Sequence, residues 1–136
     1  REQQIRVELD PARLAAAAEI DMEQAMEVVR GREARLVHYL RELVASHRDD
    51  MAQVRSSLAQ GDRDTARRTV HTLKGVAGNL GACGLAEAAR QLDAVLREPA
   101  TAGEAARIGA LVDAGEQQLL RLASLLEEPQ ELPAVS

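Results

Sequence analysis

The chain has 136 residues, 46% of them hydrophobic, which suits one folded domain rather than a disordered segment. With no Trp, no Phe and one Tyr, the core must be built from Leu, Val, Ile, Met and Ala, and nothing is available to stack on bases. A net charge of −5 argues further against nucleic-acid binding, a single cysteine rules out an internal disulfide, and no apolar run is long enough to span a bilayer.

Residues 1–9 carry mixed charge and little pattern and read as a linker or tail. A first short helix is predicted from Asp10-Pro11, a capping residue followed by proline at the first helical position, through Ala18. Asp21 with Gln24 three residues on resembles a capping box and predicts a second short helix to about Arg30, which Gly31 ends. From about Arg32 to Gln60 the apolar positions Leu36, Leu40, Leu43, Val44, Met51, Val54 and Leu58 recur at three- and four-residue steps, with His47 on the same stripe. This predicts one long amphipathic helix.

Gly61-Asp62 stops that helix, and Asp62 or Asp64 can cap the next, from about Arg63 to Leu80, whose stripe is Ala66, Val70, Leu73, Ala77 and Leu80. Gly81 is a natural left-handed stop. A helix from about Leu85 to Arg97 follows, closed by Pro99. Thr101 with Glu104 is a capping box opening a last helix to about Glu128, with Ile108, Leu111, Val112, Leu119, Leu122 and Leu126 inward. No segment has a strand pattern. The expected fold is all-α: an up-and-down antiparallel four-helix bundle with small extra N-terminal helices. It occupies 10–128 and is followed by a tail over 129–136.

The stretch HTLKGVAGNLGA, His71 to Ala82, departs from this regularity. An interior glycine costs a helix about 1 kcal/mol relative to alanine, yet two stand here in an alanine-rich chain. At about 100° per residue, with Val70 at zero, the apolar stripe centres at about 310°. His71 falls at about 100°, Gly78 at about 80° and Gly75 at about 140°. The histidine thus points away from the predicted core with bare backbone beside it, where another molecule can approach the ring closely. Arg67, Arg68 and Lys74 lie within one turn, and such cations suit a phosphoryl group. A solvated imidazole is mostly neutral at cytosolic pH, and its free ring nitrogen can attack phosphorus. No carboxylate stands three or four residues from His71, so no orienting acid is visible locally.

The run from Ala66 through Leu85 resembles the signature of histidine-containing phosphotransfer (HPt) domains, of the form HxLKGxxxxLG. His71, Leu73, Lys74, Gly75, Leu80 and Gly81 match it in place. Gln91-Leu92-Asp93 falls, more loosely, where the family often has a Leu-Glu pair, and Leu43 or Val44 must fill the volume of a phenylalanine usual in the family's preceding helix. The resemblance covers about Asp21 to Glu128. It implies a phosphohistidine carrier in a two-component phosphorelay, with His71 as phosphoryl acceptor; on the helical face described above, Lys74, Gly75, Gly78, Arg67 and Arg68 are the expected phosphoryl or partner contacts. The implied partners are response-regulator receiver domains, with a histidine kinase as a further one. Mg²⁺ is expected on the receiver, with no cofactor or metal held by this chain. The setting expected is cytoplasmic, and the start without Met suggests a piece of a longer parent such as a hybrid sensor kinase.

Two other readings compete. One is a helical interaction module that docks a receiver or other partner without phosphoryl transfer. An enzyme in its own right is disfavoured, because there is no nucleotide-binding glycine loop, metal cluster or acid–base pair. His47 is expected at the core boundary, His38 in solvent, and Cys83 as a buried or half-buried thiol.

Overall fold

In the computed structural model, residues 5–6, 10–127 and 130–131 are described. Most of the two expected tails lies outside them. Among the described residues the regular structure is helical apart from a two-residue antiparallel pair, β1 (Ile5–Arg6) with β2 (Gln130–Glu131), in which Ile5 faces Glu131 and Arg6 faces Gln130. A ladder this short leaves no periodic trace in a sequence.

Two short helices come first, α1 (Pro11–Ala17) and α2 (Met22–Val28). The side chain of Asp10 accepts from the N–H groups of Ala12 and Arg13, and Asp21 accepts from Gln24 N–H at 3.1 Å. Only half of the expected capping box forms at Asp21. Its own N–H donates to Gly81 O at 2.7 Å, and the Gln24 side chain donates to Gly78 O at 2.7 Å. Cys83 N–H adds a bond to Glu19 O at 3.0 Å, and Ile20 bridges to Ala82. The N-terminal helices are thereby bound to the turn after the histidine helix.

The long helix expected over 32–60 is two helices, α3 (Glu33–His47) and α4 (Asp50–Ala59), broken at Arg48–Asp49. At the break His47 Nδ1 lies 2.7 Å from Asp50 Oδ2, both side chains nearly enclosed. Burial pushes the Asp50 carboxyl above its ordinary value, and the His47 hydrogen bond offsets part of that. Leu43 and Val44 before the break and Met51 and Val54 after it are all buried, so the apolar stripe runs through.

Next come α5 (Arg63–Asn79), α6 (Cys83–Arg97) and α7 (Glu104–Glu127). Gly31, Gly61 and Gly81 sit at the stops with φ of 76°, 76° and 75°, a region where a side chain is strained. The most extensive packing is α5 on α6, then α6 on α7 and α4 on α5, and α3 also lies on α7. One core results. In it Leu36, Leu40, Met51, Leu73, Leu85, Leu92, Leu119 and Leu122 are nearly inaccessible.

Arg63 ties the far end together. Its guanidinium donates to the carbonyls of Val95, Leu96 and Glu98 at the end of α6 and to Glu104 at the start of α7. Glu104, expected to complete a box with Thr101, therefore spends its carboxylate chiefly on Arg63, whose hydrogen bond holds it below the usual range.

Candidate functional site

The α5 helix presents two faces with different jobs. Ala66, Val70, Leu73 and Ala77 are fully buried, which fixes the helix rotation by the hydrophobic effect. His71 is then forced outward, and 56% of its side chain is accessible. A Cβ added at Gly75 or at Gly78 would meet nothing within 4 Å, so the flank beside the ring is open, as the helical geometry predicts. Gly78 nonetheless carries the Gln24 side chain on its carbonyl.

Lys74 is half-buried and does not extend freely from this face. Its Nζ donates to Asp93 Oδ2 at 2.8 Å across the α5–α6 interface. Arg97, one turn after Asp93, pairs with the same oxygen at 3.1 Å. The same Oδ2 lies 3.6 Å from His71 Nδ1. Only 3% of the Asp93 side chain is accessible, and its Oδ1 has no hydrogen-bond partner among the described residues. Burial pushes the Asp93 carboxyl up, but the Lys74 hydrogen bond and the charges of Lys74 and Arg97 outweigh it, leaving the group below the usual carboxylate range. Asp93 is ionised at neutral pH.

The histidine therefore does have an acid beside it, contributed by α6. That acid does not show among the residues three and four places from His71, since the contact spans the α5–α6 turn. The faint signal was the position of Asp93 in the Gln91-Leu92-Asp93 run and the unusual presence of a carboxylate on the buried side of α6. Arg97 was missed for the same reason.

Arg67 is half-buried and Arg68 exposed. Neither pairs with His71 or Asp93 among the described residues, and the Arg68 charge acts on Asp62 at the start of the helix. His38 stands in solvent 3.6 Å from Glu42. Cys83, expected buried or half-buried, is exposed, because as the first residue of α6 it projects off the end of the turn. Among the described residues no group of three His, Cys, Asp or Glu side chains could hold a metal, and no helix is long and apolar enough to cross a membrane. On the flank of α5 opposite Lys74, a shallow groove of about 460 Å³ is lined by Val28, Tyr39, Leu43, His47, Val76 and Asn79, among others.

These features define a helical domain that displays one histidine on an open face over a buried carboxylate. A family model described as the Hpt domain matches residues 38–132, from within α3 to just beyond β2. The chain belongs to the Hpt domain family, whose members carry phosphoryl groups in two-component phosphorelays. Comparisons with curated proteins and with solved structures find no match.

Proposed function

We propose that this domain carries a phosphoryl group on His71, taking it from the aspartyl phosphate of one receiver domain and passing it to the aspartate of another. The observation that carries the reading is the position of the ring: half in solvent, beside two open glycines, with Nδ1 toward an ionised buried carboxylate. Asp93 favours the tautomer with the proton on Nδ1, which leaves the lone pair on Nε2, across the ring, for an approaching phosphorus. The rest of the transition-state stabilisation, including Mg²⁺, is expected from the receiver.

In this reading residues 10–128 form the functional unit. Its four members, α3–α4, α5, α6 and α7, run up and down, with α1 and α2 as additions. Gly75 and Gly78 admit the partner's backbone, and Lys74 supplies positive charge. Arg67 and Arg68 extend the positive rim that meets an acidic receiver site.

The test is to mix the protein with a phosphorylated receiver and look for acid-labile, alkali-stable phosphate. Wild type should label, and His71→Gln should keep its helicity and lose the label. Full labelling of His71→Gln would refute the assignment. Receiver binding without any label on the wild type would instead favour the docking module.

A further inference from the structure

The cations of the site crowd one oxygen while its twin has none. Asp93 Oδ2 holds Lys74 Nζ at 2.8 Å and Arg97 Nη2 at 3.1 Å, and His71 Nδ1 lies 3.6 Å away, just beyond hydrogen-bond range. Oδ1 is buried with no partner among the described residues. A carboxylate has about four lone-pair positions, and a buried one left empty costs free energy. The Asp93 carboxylate therefore has unused capacity, and the His71 ring stands beside it with Nδ1 3.6 Å from Oδ2.

We propose that phosphorylation of His71 makes Asp93 exchange partners: the ring Nδ1–H closes onto the carboxylate, and Lys74 and Arg97 turn to the phosphoryl oxygens. This rests on the reading of His71 as the acceptor. In the transfer the Nε2 lone pair forms the N–P bond, and the P–O bond to the donor aspartate breaks with its electron pair leaving on that carboxylate. Nδ1 keeps its proton, so the ring becomes cationic and a stronger donor to Asp93. The phosphoryl group arrives as a dianion and competes with Asp93 for the two cations. Of the groups involved, Asp93 is enclosed and stays in place, whereas Lys74 is 30% and Arg97 52% accessible, on long stems free to swing. The exchange needs only side-chain torsions, and it makes Arg97, which lies outside the histidine motif, a second phosphoryl contact.

The experiment labels the full chain chemically with phosphoramidate, which requires no receiver, and identifies the His71 signal by its loss in His71→Gln. In ³¹P titrations the phosphoryl group of wild type should ionise about one unit lower than that of Arg97→Gln, with Arg97→Lys intermediate. The His71 Nδ1 proton should become slowly exchanging only after phosphorylation, and should lose that protection in Asp93→Asn. Identical titrations for wild type and Arg97→Gln, or an Nδ1 proton unchanged by phosphorylation, would overturn the exchange. So would a His71 that phosphoramidate leaves unlabelled. Failure of a receiver to label the protein, with these shifts intact, would count against the relay reading alone.

Discussion

Replacing Gly75 by alanine should make the protein more stable and, at the same site, larger substitutions should make it slower. The added Cβ meets nothing within 4 Å, and the residue is exposed in the interior of α5. The change then contributes only the difference in helix propensity, about 1 kcal/mol, part of it through the unfolded chain. For a domain of this size that raises the thermal midpoint by about 3–5 °C. Gly81→Ala is the control with the opposite sign. There φ is 75° and the new Cβ would sit 2.8 Å from Asp21 O, the neighbour whose own N–H donates to Gly81 O. The left-handed conformation costs about 1–2 kcal/mol and the disturbed hydrogen bond about 1 more, so the midpoint should fall by roughly 6–15 °C. Circular dichroism melts of the two variants measure both. A Gly75→Ala midpoint at or below wild type would mean that the flank is not open. Gly75→Leu adds bulk without disturbing the core, and phosphotransfer from a receiver should slow markedly while helicity holds. An unchanged rate would refute the docking argument.

Other consequences are as direct. The folded-state pKa of Asp93 is depressed, so between that value and the unfolded value of about 3.9 the unfolded chain binds more protons and stability rises with pH. This contribution is complete above the unfolded pKa and is lost as pH falls through the folded one. Urea titrations should therefore show Asp93→Asn weaker than wild type by about 1 kcal/mol at pH 7, with the difference shrinking below about pH 4. Arg63→Ala removes hydrogen bonds to three carbonyls at the end of α6 and should cost about 2–3 kcal/mol in chemical denaturation, with Arg63→Lys recovering only a part because an ammonium lacks the planar fork.

The sequence disclosed most of what depends on neighbours along the chain. Asp10, Asp21 and Asp62 cap helices as their residue types predict, and the glycines at 31, 61 and 81 stop them. The outward placement of His71 followed from the position of Val70 and Leu73 on the opposite face. What escaped lay across the fold. The break at Arg48–Asp49 has no glycine or proline to mark it, and the apolar spacing continues through it from Val44 to Met51. Only the His47–Asp50 pair distinguishes it, and residues three apart face each other equally well in an unbroken helix. The approach of Asp93 to His71 is set by how α6 packs on α5, a relation no local pattern encodes. Gln24 and Glu104 looked like reciprocal caps, but each found a stronger partner elsewhere, at Gly78 O and at Arg63.

The clasp formed by the first two helices lies outside the segment that carries the family likeness. The family match opens at His38, well after residues 19–24 have attached themselves to Gly78, Gly81 and Cys83. A fragment trimmed to the homologous segment would keep every residue of the histidine motif. It would also uncover Ala82 and the part of α7 on which α1 packs, and leave backbone groups next to the site hydrated instead of paired. The segment that carries the family likeness is therefore shorter than the segment that keeps the backbone beside the site paired.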